Sequence, residues 1–185
     1  CLHGISKDAW DRYTDKGKWF YEVVDCGYKY NLSDIQSAIG IHQLRRLNSF
    51  TAERTRLATM YRRLLEDTDD IELPDATDPG HAWHLYMIKL NLNRLDIDRE
   101  EFMRHLRSAG VGASVHFIPI PIHPYFQRNR PRHATEVPRA LAIYERLISL
   151  PLYPGLTDDQ VIYIVDTITE IVRRFRKTAQ IAVAS

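Results

Sequence analysis

Gly27-Tyr-Lys-Tyr-Asn-Leu-Ser-Asp-Ile-Gln-Ser-Ala-Ile-Gly-Ile-His-Gln-Leu-Arg-Arg-Leu47 joins a polar loop, a helix start and a long helix in one run. Ser33 is a favoured N-cap residue, and Gln36, three residues on, completes a capping box. Ile35, Ile39, Leu44 and Leu47 keep helical spacing. The loop Tyr28-Lys29-Tyr30-Asn31 therefore precedes a helix N-terminus, where backbone donors favour anions. Lys29 adds a cation. The loop reads either as a phosphate-binding element or as an ordinary loop with a surface lysine. The residues by themselves leave both open, with the ordinary loop ahead.

Downstream, the helix is expected to run to about Leu65 along a stripe of Leu44, Leu47, Phe50, Leu57, Met60, Tyr61 and Leu64. Arg45, Arg46, Glu53, Arg54, Arg56, Arg62 and Arg63 make its other face, which reads as solvated. Upstream, residues 1–18 are polar and irregular, with Trp10 and Tyr13 the large aromatics. The aromatic and β-branched run over 19–24 reads as a strand. Beyond the helix, 74–80 is a turn-rich break and 83–90 a second strand. Asp98 caps a helix that stops at Gly110. Residues 112–118 read as a third strand. Pro119 to Phe126 is too rich in proline for regular structure and reads as an extended loop. A helix over 136–147, a short extended segment over 149–154 and a last helix over 158–177, capped by Thr157, complete the order. This order gives an α/β (α+β) fold: a small, mainly antiparallel sheet with helices on one face, preceded by a long helix.

The totals describe a globular chain of ordinary composition. It has 185 residues, 44% hydrophobic and 26% charged, with 25 basic against 24 acidic side chains. That balance offers no general affinity for nucleic acid. No apolar run suits a membrane span. Cys1 and Cys26 make neither a disulfide framework nor a zinc site, so a reducing, cytoplasmic setting is expected. Cys26 reads as a small buried hydrophobe. The opening Cys1, in place of an initiator methionine, suggests a piece of a longer protein.

Eight histidines raise the question of a metal-dependent hydrolase. His81 and His84 are three apart on an expected strand, where they would face opposite ways, and no H-E-x-x-H motif is present. No metal site is assigned. His116, near the end of the expected third strand, points either into a cleft or into the core.

Taken in order, several segments resemble the DegT-type nucleotide-sugar aminotransferases, fold-type I pyridoxal-phosphate (PLP) enzymes. They are Leu2-His3-Gly4, Asp8 to Arg12, Gly27 to Gln36, Gln43-Leu44 with Leu47, His81 to Leu85, Val111 to Phe117, Pro124-Tyr125 and Ser149 to Pro154. Each is weak alone; their order and spacing are specific. The resemblance covers nearly the whole chain and corresponds to the C-terminal part of such an enzyme. It implies three regions: 1–32 as a remnant of the large PLP-binding domain with a dimer-crossing loop, 33–177 as the long helix plus the small C-terminal domain, and 178–185 as a loose tail.

The resemblance also implies a function. The whole enzyme would convert a nucleotide-linked (UDP-) keto-sugar to an amino-sugar, with L-glutamate as amino donor, as a cytoplasmic homodimer without nucleic-acid or membrane partners. The family's Schiff-base lysine lies upstream of the matching segment. Lys7, Lys16, Lys18, Lys29, Lys89 and Lys177 do not match its motif, so no catalytic residue is assigned here and the chain alone is expected to be inactive. In the family, the loop matching Tyr28 to Asn31 crosses to the neighbouring subunit's cofactor phosphate. Many members read G-Y-N-Y-R there. Lys29 for the asparagine and Asn31 for the arginine resemble a subgroup acting on UDP-4-keto-sugars. Lys29 and Asn31 are thus implied cofactor ligands, and His116, His123, Trp10 and Tyr13 implied substrate contacts. The alternative is a non-catalytic regulatory or binding protein of the same fold.

Overall fold

A computed structural model describes residues 4–5, 22–76, 78–130 and 135–177. Trp10, Tyr13, residues 19–21 of the expected first strand and the tail over 178–185 lie outside the described residues. Contacts divide the chain into two compact units, Cys1–Leu47 and Asn48–Ser185.

Helix α1 spans Asp34–Leu65. Its capping box forms as the sequence predicts: the Ser33 amide donates to Gln36 Oε1 at 2.9 Å, and the Gln36 amide donates to Ser33 Oγ at 3.3 Å. The apolar stripe does not behave uniformly. Leu57, Ala58, Tyr61 and Leu65 are buried, whereas Leu44 and Leu47 are exposed. The solvated arginine face is also only part of the picture. Arg62 donates to the Pro74 carbonyl, and Arg56 pairs with Glu53 at 2.8 Å and with Asp158 at 2.7 Å.

In the Asn48–Ser185 unit, β1 (Ile71–Glu72), β2 (Tyr86–Leu90) and β3 (Leu147–Leu150) form an antiparallel sheet in the order β1-β2-β3. The register sets Ile71 against Leu90, Tyr86 against Leu150 and Ile88 against Ile148. Along β2, Tyr86, Ile88 and Leu90 are buried while Met87 and Lys89 are half-buried, the alternation of a strand with one core face. Helices α2 (Arg99–Ser108) and α5 (Asp158–Phe175) pack together, and α2 also meets β3. Helix α5 buries Val161, Ile164, Val165, Ile168, Ile171 and Val172, a continuous helical stripe. Each such side chain contributes about 1.5–3 kcal/mol on leaving water.

The helix caps follow the sequence. Asp98 accepts from the Glu101 amide at 2.8 Å. Thr157 and Gln160 form a second capping box. Gly110, at φ 75°, takes the left-handed conformation after α2 that a side chain disfavours.

Several strand and loop expectations are corrected. No strand forms over 112–118; the backbone of that segment pairs with β3 through an isolated bridge between Ser114 and Ser149. Residues 22–24 contribute only an isolated bridge, Ile5 to Val23. The second strand begins at Tyr86 rather than at residue 83. Pro119 to Phe126 is not an extended loop: it holds a 3-10 turn, Ile120–Ile122, and the start of α3 (Pro124–Asn129). Pro121 at the second position of the turn and Pro124 at the first of α3 are compatible with helix, because an N–H in the first turn would be unpaired there anyway. The helix expected over 136–147 is shorter, α4 at Pro138–Tyr144, and β3 takes over from Leu147. A short apolar run reads alike as helix or strand until its partner is known. The two-residue β1 was not foreseen.

One buried charge closes this unit. Asp70 is fully buried, and its carboxylate accepts from Arg94 Nε at 3.1 Å and from Arg176. The Asp96 amide donates to the Phe175 carbonyl at 2.8 Å and the Lys177 amide to the Arg94 carbonyl at 2.9 Å. The end of α5 is thereby pinned beside β1 and the turn after β2.

Candidate functional site

In the Cys1–Leu47 unit, the chain on the N-terminal side of α1 is fastened by Gly4. The Val24 and Asp25 amides both donate to the Gly4 carbonyl, at 2.8 and 3.3 Å. Gly4 is buried at φ 70°, and a Cβ there would lie 1.9 Å from the Asp25 carbonyl oxygen, so only glycine fits. Gly4, Ile5, residues 24–28 and Tyr30 line a cavity of about 430 Å³. Tyr28 and Tyr30 stack with ring centres 5.6 Å apart. The expectation of a buried Cys26 is corrected: its thiol is exposed. Its backbone amide donates to Asp25 Oδ1 at 2.7 Å.

Lys29 and Asn31 sit between these tyrosines and the Ser33 cap, and both are exposed. Among the described residues neither has a hydrogen-bond or ion-pair partner. Lys89 and Lys177 differ: the first is held by Glu72, and the second donates to the Leu92 carbonyl at 3.1 Å. An uncommitted ammonium, an amide donor and the start of a long helix are a donor set that fits a phosphate dianion. Asp34, the acidic residue in the first turn, limits how close the anion lies to the helix axis.

In the Asn48–Ser185 unit, His116 is half-buried, and its Nδ1 lies 2.9 Å from Ser149 Oγ. Ser149 is only 4% exposed and is one of two buried polar residues among those described. It is fixed by β3 and by a reciprocal bridge in which the Ser149 amide donates to the Ser114 carbonyl at 2.7 Å and the Ser114 amide returns at 3.1 Å. The imidazole is thus held through Nδ1, leaving Nε2 as the ring nitrogen for another group. Ser149 was missed as a site residue; its signal was a hydroxyl inside the wholly buried run Leu-Ile-Ser-Leu. His123 is exposed at the start of α3, and its carbonyl accepts from the Gln127 amide at 3.0 Å. Phe117, Ile120 and Tyr125 near these histidines are also exposed.

His81 and His84 precede β2 rather than lying on a strand. His81 Nδ1 accepts from the Trp83 amide at 2.9 Å, a local turn contact. Nearby, Tyr61 and Tyr86 stack at 5.0 Å, and Tyr61 donates to the Pro151 carbonyl at 3.0 Å. Burial raises both phenols, Tyr86 to about 12. They stay neutral at physiological pH and act as core.

Residues 1–169 match the DegT/DnrJ/EryC1/StrS aminotransferase family, and the chain belongs to that family. It is 43% identical over 176 residues to the uncharacterized protein MJ1066 of Methanocaldococcus jannaschii, covering 95% of this chain and 46% of that protein. It is 40% identical over 174 residues to the spore coat polysaccharide biosynthesis protein SpsC of Bacillus subtilis, covering 93% of this chain and 45% of SpsC. The chain thus spans about half the length of these relatives. Its backbone superposes with a TM-score of 0.78 and 28% identity on Spr1654 of Streptococcus pneumoniae, a candidate sugar aminotransferase solved in its PMP form, over 94% of this chain and 43% of that one. The same protein in its PLP form gives 0.76.

Proposed function

We propose that this chain provides the loop and small-domain part of a pyridoxal-phosphate-dependent sugar aminotransferase. The enzyme would form an amino-sugar from a UDP-linked keto-sugar, with L-glutamate as donor, in the cytoplasm and as a homodimer. The observation that carries this reading is Lys29, an uncommitted cation in a loop that leads into a capped 32-residue helix. Among the described residues no helix is long and apolar enough to cross a membrane.

Pyridoxal phosphate, when bound, supplies the electron sink for amino transfer. The residues of this chain bind and orient. Lys29 is a point charge for the phosphate, and Asn31 an amide donor beside it. His116, fixed by Ser149, presents Nε2 to the sugar-nucleotide; His123 is a second contact. Trp10 and Tyr13 are assigned to the nucleotide channel. The covalent attachment lysine is not assigned to any residue here, so the isolated chain is proposed to be inactive in transamination.

The test is the whole enzyme incubated with UDP-4-keto-sugar, glutamate and pyridoxal phosphate, followed by detection of the amino-sugar. Absence of both product and cofactor absorbance would sink the reading. In that enzyme, Lys29→Ala is expected to weaken cofactor retention by about ten- to a hundredfold, because a charge-assisted contact contributes about 1.5–3 kcal/mol. Unchanged affinity would remove Lys29 from the phosphate site.

A further inference from the structure

A cavity of about 350 Å³ opens in the Asn48–Ser185 unit, between the end of α2, the segment after β3 and the first turns of α5. That volume lies in the range of small-molecule sites. Its floor is apolar: Val111, Leu156 and Ile164 line it and are each no more than 5% exposed. Tyr153 and Tyr163 also line it and are about half exposed. Tyr163 is fixed, because its hydroxyl donates to the Ala109 carbonyl at 2.8 Å. The Tyr153 hydroxyl has no hydrogen-bond partner among the described residues, so its ring is free to turn onto a ligand.

This cavity is separate from the His116 site. Ser114 and Ser149 form an antiparallel bridge. From that bridge the two segments run one way to Gly112 and Pro151, which line the cavity, and the other way to His116 and Leu147. Four residues, about 13 Å of extended chain, separate Gly112 from His116.

Two donors at the cavity are unspent. Gln160 Oε1 accepts from the Thr157 amide at 2.9 Å in the capping box, which leaves the N–H groups of Nε2 without an acceptor among the described residues. The Gly112 amide has no acceptor among them either. Among the described residues no charged side chain lines the cavity. Asp158 and Asp159 stand in the adjoining first turn of α5, and only Asp158 has a cation, Arg56 at 2.7 Å. The surroundings therefore disfavour an anion.

These features select a ligand. Tyrosine faces suit a planar ring. An aliphatic floor penalises a polyol, whose hydroxyls would be buried without partners. The unspent donors call for carbonyl acceptors on the edge of the ring. We propose that the cavity binds an uncharged nucleoside by a dioxopyrimidine ring, stacked against Tyr153, with its carbonyls accepting from Gln160 Nε2 and the Gly112 amide. The site uses nothing of the Tyr28 to Asn31 loop, so it stands or falls independently of the aminotransferase reading.

Titration of the isotope-labelled 185-residue chain with uridine, followed by amide NMR shifts, tests it. The shifts are expected to centre on Val111, Gly112, Leu156, Gln160 and Tyr163, with a Kd of about 0.1–1 mM. Uridine monophosphate, which adds an anion, is expected to bind about threefold more weakly. Gly112 lies outside the left-handed region, and a Cβ there meets nothing within 4 Å, so Gly112→Leu fills open space without strain. It should weaken uridine about tenfold or more. Tyr153→Ala, at an exposed position, should weaken it about tenfold through loss of stacking. Unchanged helix content in circular dichroism shows that a variant folds; should one unfold, the other decides. Four outcomes overturn the proposal. They are no shift at these amides up to about 10 mM uridine, unchanged affinity in a folded variant, tighter binding of the monophosphate, and a response to methyl glucoside in place of uridine.

Discussion

The two units treat their apolar residues in opposite ways. In Asn48–Ser185, side chains from Leu57 to Val172 close into one core. In Cys1–Leu47, Val23, Val24, Tyr28, Tyr30, Leu32, Ile35, Ile39, Ile41, Leu44 and Leu47 all face solvent. The same helix, α1, contributes to both patterns. Regular helical spacing therefore says that a side will be covered, not by what. The larger unit closes a core of its own while leaving Phe117, Ile120 and Tyr125 exposed; the smaller displays a surface of the kind that recognises another surface.

The comparison can be broken most sharply in the core. Phe102 is fully buried, and Phe102→Ala should cost about 3–5 kcal/mol in urea denaturation. Leu44→Ala should cost less than about 0.5 kcal/mol under conditions that keep the chain monomeric. Equal losses would dissolve the distinction. Next comes Asp70. Its buried carboxylate serves two half-exposed guanidiniums that can rehydrate, so Asp70→Ala should cost about 2 kcal/mol, at the low end for a broken buried pair. The expected signature is earlier loss of amide protection at Asp96 and Lys177. A third change acts only on the smaller unit. Gly4→Ala places a methyl against the Asp25 carbonyl and in a disfavoured φ, a local cost of about 1–2 kcal/mol. Hydrogen exchange should quicken at Val24 and Asp25 while the melting of Asn48–Ser185 stays put.

The smallest effect is electrostatic. Lys89, and then Arg146, hold Glu72 below its ordinary carboxyl value. A carboxylate lowered in the folded state adds stability above its ordinary pKa and loses it as pH falls through the lowered value. Glu72 is half exposed, so solvent screening leaves a few tenths of a kcal/mol. Acid titration of Glu72→Gln against the unaltered chain should differ only above the acid limb; a difference persisting below it would refute the pairing as the cause.

Much of the fold was legible because its signals are local. Ser33 with Gln36, Asp98, Thr157 with Gln160, and Gly110 act within three or four residues of themselves, so the helix ends could be read directly. The segment around Ser149 could not. Leu147-Ile148-Ser149-Leu150 was read partly as a helix end and partly as an extended stretch, because its identity as β3 depends on β2, far away in the chain. The 112–118 segment failed for the converse reason: it reads as a strand, but of its backbone only Ser114 pairs with another strand. Of the proposed site residues, Lys29 was visible as a cation beside a cap, and Asn31 only through the family resemblance. The fixing of His116 by Ser149 was not, since no spacing in the sequence joins them.

The sequence by itself determined the caps, the amphipathic course of α5, the family and the cation placed before α1. The tertiary structure alone decided which apolar stripe is covered, that Asp70 is buried between two arginines, and that His116 is held through one ring nitrogen. Caps and helix periodicity are i to i+4 interactions carried by neighbouring residues. Burial, strand pairing and a buried charge cluster need groups from distant parts of the chain, and those meet only once the backbone has closed.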